Sequence, residues 1–271
     1  MSAGRILCFA TQGGLTVFCE ADEVFVDGTF FSCPSIFFQV LTVSSVKNGC
    51  SVNTAYFLLP GKSREVYVAA FMRFLECLSD HELRHRVTVV RTDFEVALIQ
   101  ALLYTFPRAT HRGCHFRFGQ AIWRKVQVLG LSTAYSDDPS VKAFVRKSVS
   151  LAFVPVSFVR VAWNELKATA PLVPGIPAFI LYFEDVWMMG SFDIKQWNHY
   201  NNRSARTNNL KEAWHRKINH MLGKAHPNIY AFIDMIKKDE APGRVTLLQL
   251  SSGGRTRKRM KKWDLKDEEI R

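Results

Sequence analysis

Val24-Phe25-Val26-Asp27-Gly28-Thr29-Phe30-Phe31 decides how this chain reads. Aromatic and β-branched residues fill it, which predicts a buried strand over about 24–31. One acid stands in its middle. A desolvated carboxylate without a partner costs several kcal/mol or shifts its pKa, so a strand keeps one where something cationic sits beside it. The competing reading is an Asp-Gly turn that splits the strand.

Working outward, residues 36–46 and 53–59 predict two more strands, the second ended by Pro60-Gly61. The short links predict an antiparallel meander. Upstream, apolar pieces within 5–19 are interrupted by Gly13-Gly14 and predict a small hairpin. Ser63 opens a helix expected to run to about Leu83, and 86–92 is a β-branched run, the fourth strand, closed by Asp93. Phe94–Tyr104 predicts a helix, 109–116 a fifth strand and 119–129 another helix. A right-handed crossover between the third and fourth strands brings Asp27 and Asp93 side by side at the sheet's carboxyl end, where ligands gather. This is α/β with the topology of an RNase H-like fold, a mixed sheet flanked by helices.

Beyond about 130 the pattern turns helical. Stretches 139–154, 155–169 and 176–190 predict a helical insertion over 131–200, and helices near 209–222 and 226–239 return to the core within 201–240. Residues 241–271 form a charged tail, with six basic residues between Arg255 and Lys262 that suit a nuclear signal, phosphate contacts or a solvated tail.

Asp93 has a competing role as a helix N-cap. Two-metal chemistry needs a third acid, because Mg²⁺ takes oxygen ligands and a metal pair clamps both oxygens of a phosphoryl displacement. Glu184 and Glu212 are the candidates. Glu212 is preferred, one turn into a helix behind a polar loop, although Asn209 and Glu212 also fit a capping box. His81-Glu82-Leu83-Arg84-His85 fits the zinc-protease pattern H-E-x-x-H, but falls where a helix should end. Four of the six tryptophans, Trp123, Trp187, Trp197 and Trp214, sit in apolar contexts and read as core.

Bulk properties agree with a polyanion partner. The 271-residue chain carries a formal charge of +12 and is 48% hydrophobic. Its six irregularly spaced cysteines read as reduced thiols. No apolar run approaches the roughly 20 residues of a membrane span, and Ser2–Gly14 lacks the apolar core of a signal peptide.

Together these segments resemble the Mutator-like element (MULE) transposases. The resemblance is carried by Val26-Asp27-Gly28-Thr29-Phe30, Thr92-Asp93-Phe94-Glu95, Gly113-Cys114-His115-Phe116, Tyr182-Phe183-Glu184-Asp185-Val186-Trp187 and Arg206-Thr207-Asn208-Asn209 with Glu212-Ala213-Trp214-His215. It implies an RNase H-like core and an Asp-Asp-Glu triad at Asp27, Asp93 and Glu212. It also implies two Mg²⁺ or Mn²⁺ ions, and DNA (transposon ends and target) as partner. Cleavage of DNA ends and strand transfer in the nucleus, by a homo-oligomer, complete what it implies. The family's usual Cys-x-x-His is replaced: Cys114 is followed at that spacing by Arg117, with His115 between. The chain also starts almost at the core, without ligands for a zinc-binding module. Both departures raise the alternative of a fragmentary or host-adopted module that binds DNA or protein without catalysis.

Overall fold

The structure is a computed structural model that describes residues 4–47, 50–202 and 209–251; several side chains within these ranges, including those of 209–213, lie outside the described set. Strands β1 (Leu7–Phe9), β2 (Glu23–Thr29), β3 (Gln39–Lys47), β4 (Cys50–Leu59), β5 (Val89–Thr92) and β6 (Thr110–Gly113) form one sheet in the order β1-β4-β3-β2-β5-β6. The β1–β4, β4–β3 and β3–β2 pairs are antiparallel, whereas β2–β5 and β5–β6 are parallel. The predicted meander is therefore present, and Asp27-Gly28 stays within β2 rather than splitting it.

Helices α1 (Gln12–Glu20), α2 (Arg64–Asp80), α3 (Val96–Thr105) and α4 (His115–Val128) accompany the sheet. Alternation in β2 sends Val24 and Val26 to one face. There they join Leu41, Val43, Phe57 and Leu59 and the buried sides of α1, α2 and α3, among them Phe18, Phe71 and Leu102. The hairpin expected at 5–19 is instead a single strand followed by α1. Thr11 caps this helix by accepting from the Gly14 amide at 3.2 Å, and Leu15, Phe18 and Cys19 form its buried stripe. Gly14 suits a close approach, since a Cβ there would lie 2.9 Å from the Thr54 carbonyl oxygen.

The opposite face is covered by α10 (Asn209–Leu222) and α11 (Ile229–Ser251), which extends past the predicted end near Asp239. Ile218, Phe232, Met235 and Ile236 pack there on Val40, Tyr56 and Leu58. The stretch between the two halves holds α5 (Ser132–Asp137), α6 (Pro139–Ser150), α7 (Val159–Ala168), α8 (Ile176–Phe183), a π-helical turn at Glu184–Met188 and α9 (Ile194–Trp197). These helices share an aromatic core with α4 that includes Phe118, Trp163, Phe183, Trp187 and Trp197. Of the tryptophans expected in the core, Trp187 and Trp197 are buried, while Trp123 is 37% exposed. Arrangement and connection order are those of an RNase H-like fold, with further helices between α4 and α10. Among the described residues no helix is long and apolar enough to cross a membrane.

One buried carboxylate ties α10 and α11 to the sheet. Asp239 of α11 accepts from Tyr56 Oη at 2.7 Å, Asn53 Nδ2 at 3.1 Å, Trp214 Nε1 at 2.6 Å and Lys217 Nζ at 2.7 Å. Burial alone would raise its pKa, but the bonds from Lys217, Trp214 and Tyr56 bring it below the usual carboxylate range. A depressed carboxylate pKa adds stability above the unfolded value that is lost as acid protonates the group. Asp239→Ala leaves four donors facing a void and is expected to cost about 3–5 kcal/mol in a urea titration at pH 7, with a smaller deficit at pH 3.

Candidate active site

The β2–β5 pairing places Glu23 beside Val89, Val24 beside Val90 and Phe25 beside Arg91. The same offset, carried two residues further, sets Asp27 beside Asp93 at the carboxyl ends of two adjacent parallel strands. Neighbouring strands lie about 4.8 Å apart. Asp27 is 3% exposed and Asp93 is half-buried. Burial raises the pKa of Asp93, the charge of Asp27 raises it further, and Arg117 and the Glu95 amide oppose the rise. Two of the three predicted acids therefore converge.

Asp27 shares a sheet face with its cross-strand neighbour Thr42, which lies beside Tyr56 in turn. That is the face covered by α10. Thr42 Oγ1 donates to the Asp27 carbonyl oxygen at 3.1 Å. Glu212 is in the first turns of α10, and its side chain lies outside the described residues. Among the described residues no group of three or more His, Cys, Asp or Glu side chains could hold a metal ion.

The turn carrying Asp93 is held from two sides. Thr92 Oγ1 lies 2.5 Å from the Asp93 carbonyl oxygen and 2.9 Å from His111 Nε2. The hydroxyl has one hydrogen, and the carbonyl can only accept, so His111 donates through Nε2. Burial, with the Arg91 charge, pushes His111 down to about 4. On the other side, the ring of Phe94 lies over Gly113, where a Cβ would sit 2.1 Å from a ring carbon. The same ring meets Trp187 of the π-helical turn at 4.9 Å and Phe192, in the bend before α9, at 5.0 Å. The insertion thus grips the residue next to the acid. The N-cap of α3 is Glu95, not Asp93, which removes the competing role for Asp93.

The remaining candidates stand apart from this pair. Glu184 sits in the π-helical turn, where Lys167 Nζ at 2.5 Å and Trp163 Nε1 at 3.1 Å bond its carboxylate. The Lys167 bond is the main reason its pKa falls. Cys114 is buried and begins α4. His115 follows it, with its ring 4.6 Å from Phe153 and 5.5 Å from His199. The H-E-x-x-H pattern is not helical: α2 stops at Asp80, His81 caps it, and Glu82 has φ 57°.

Sequence reasoning missed Glu95 as a neighbour of the pair and read Arg117 only as a departure from the family's Cys-x-x-His. Glu95 accepts from Tyr67 Oη at 2.8 Å, and Gln39 Nε2 donates to that same oxygen at 2.6 Å. Burial raises the Glu95 pKa, opposed by the Tyr67 bond, and Asp93 adds to the rise. Its place two residues after Asp93 was the available signal. Arg117 lies in the first turn of α4, directly after β6, and bonds Gln120 at 3.0 Å.

Comparison with known families bears on the same strands. Residues 24–121 match the family model of the MULE transposase domain. The match runs from β2 into α4 and so contains Asp27, Asp93, Cys114 and His115, while Glu184 and Glu212 lie beyond it. No curated protein matches the chain. A MULE transposase domain points to a transposase-related role, to DNA as the general partner and to the divalent metals that such domains use. The pair fits that chemistry. Both groups are hard oxygen donors, and a cation between them would relieve the repulsion that raises Asp93.

The electrostatics predict a trade of stability for function. A raised folded pKa means that the native state binds more protons than the unfolded state, so stability falls as pH rises through the unfolded and then the folded value. Asp93→Asn is therefore expected to raise the melting temperature at pH 7 and to lose any further rise on adding Mn²⁺; a lower melting temperature would contradict the site. His111 has the opposite sign. Its depressed pKa makes the protein lose stability as pH falls from about 6.5 towards 4. Between pH 7 and pH 5 that loss is on the order of 2 kcal/mol, and His111→Gln should remove most of it in urea titrations.

Proposed function

We propose that the chain is a MULE-type DNA transposase catalytic unit, which cleaves DNA ends and joins them to target DNA. The observation that carries the proposal is the register that brings Asp27 beside Asp93. Asp27, Asp93 and Glu212 would hold two Mg²⁺ or Mn²⁺ ions, which when bound supply activation of the attacking oxygen and neutralise charge on the phosphate. The chain's own part is to keep two carboxylates ionised and fixed. Thr42 anchors the Asp27 backbone, Thr92 and Phe94 fix the Asp93 turn, and Arg117 helps Asp93 to ionise. Helix α10 crosses the face on which Asp27 lies, and the Asp239 bonds to Trp214 and Lys217 seat that helix. Water attacks the end phosphodiester first, and the freed 3′-hydroxyl then attacks target DNA. The formal charge of +12 supports DNA binding, and the reading includes action in the nucleus as at least a dimer.

A second reading is favoured by Arg117. A permanent cation acting on Asp93 competes with a divalent ion for the same carboxylate, which suits a transposase-derived module that binds DNA without cutting it. One assay separates the two. Wild type incubated with Mn²⁺ and a pre-nicked DNA end is expected to give strand-transfer products on a sequencing gel, and Asp27→Asn none. DNA binding by both proteins without any product, together with tighter Mn²⁺ binding by Arg117→Ala, would support the second reading. Equal products from wild type and Asp27→Asn would refute the triad.

A further inference from the structure

The loop from Phe30 to Phe38 leaves β2 at the end that bears Asp27, and it presents its largest apolar side chains to solvent. Phe30, Phe31, Ile36 and Phe38 are 48%, 43%, 72% and 47% exposed. The loop beneath them is anchored. Ser32 and Cys33 are buried, the Cys33 amide donates to the Phe30 carbonyl at 3.1 Å, and the Phe38 amide donates to the Leu59 carbonyl at 2.8 Å. From the turn after α10, the His226 amide donates to the Phe31 carbonyl at 2.9 Å, and the His226 ring bonds the Cys33 carbonyl at 3.1 Å. Phe30 and Phe38 meet edge to face at 5.5 Å. This is an apolar surface held open by a fixed scaffold, the kind of patch that marks a binding site.

Two features select its occupant. The patch begins three residues past Asp27, within about 10 Å along the strand, so a protein or a second copy seated on it would obstruct the approach to the carboxylate pair. Its borders are basic: exposed Lys62 follows Gly61, whose carbonyl accepts from Gln39 beside Phe38 at 3.3 Å, and exposed Lys224 lies two residues from His226. Aromatic faces flanked by cations suit an unpaired base and its phosphates. We propose that Phe30 and Phe38 form a stacking platform for an unpaired nucleobase of the DNA end presented to Asp27 and Asp93. This rests on the DNA reading above and adds to it a preference for frayed or single-stranded termini.

Fluorescence anisotropy tests it with a blunt duplex and the same duplex carrying a three-nucleotide 3′ tail, at fixed salt. Wild type is expected to bind the tailed duplex about tenfold tighter than the blunt one. A Phe30→Ala, Phe38→Ala variant should bind both alike, at the wild-type blunt affinity. If the alanine pair does not fold, Phe30→Leu, Phe38→Leu keeps apolar bulk without a ring face and should show the same loss. No tail preference in wild type, or its survival in the folded variant, overturns the platform and leaves the DNA reading standing. Failure of wild type to bind either duplex removes the DNA reading and the platform with it. A wild-type dimer in sedimentation that the variant abolishes would assign the patch to a second copy, also against the proposal.

Discussion

Two carboxylates placed side by side at the ends of neighbouring parallel strands repel each other, and burial makes the repulsion worse. Asp27 and Asp93 are in that position because the β2–β5 register puts them there, and Asp93 carries the electrostatic cost. Neither group could drift to relieve it. Asp27 lies near the carboxyl end of β2, in register with Thr42 of β3, and the same strand pairs with β5 up to Phe25. Asp93 is pinned by Thr92 and His111 behind it and by Phe94 beside it. A third, opposite charge would relieve the repulsion that this arrangement maintains.

The inserted helices gain a physical role from this. They could be read as decoration on an RNase H-like core, but Phe94 joins the two. Its ring fills the space that a side chain at Gly113 would take and packs edge to face against the stacked pair of Trp187 and Phe192. Aromatic pairs of this geometry each contribute about 0.5–1.5 kcal/mol beyond area burial, so the cohesion of the insertion acts on the backbone next to Asp93. Asp239 does the corresponding work on the other flank. Its four donors come from β4 and α10, which couples the strand face bearing Thr42 and Tyr56 to the helix that contains Glu212.

Much of this was legible in the sequence, for identifiable reasons. Strands β2 to β5 announce themselves through β-branched runs ended by turn residues, and two acids at strand ends mark a site. The stretch at 12–20 was misread because Gly13-Gly14 looks like a turn, whereas Gly14 lets a helix approach Thr54 and the Leu15, Phe18, Cys19 stripe carries the helical period. The Asp239 clamp could not be read, since its donors lie at 53, 56, 214 and 217 and meet only through folding. Glu95 stands within Thr92-Asp93-Phe94-Glu95, but its link to Tyr67 and through it to Gln39 is a tertiary fact that the sequence does not display. The role of Arg117 emerges the same way, from β6 running parallel to β5 and delivering α4 beside Asp93.

Asp27 of β2 and Asp93, directly after β5, would together hold one divalent cation. Anomalous diffraction from crystals soaked in Mn²⁺ tests it most directly. A manganese peak within coordination distance of both the Asp27 and the Asp93 carboxylates is expected. Manganese bound elsewhere with the pair bare, or a salt bridge from Arg117 filling the space between the two acids, would contradict it.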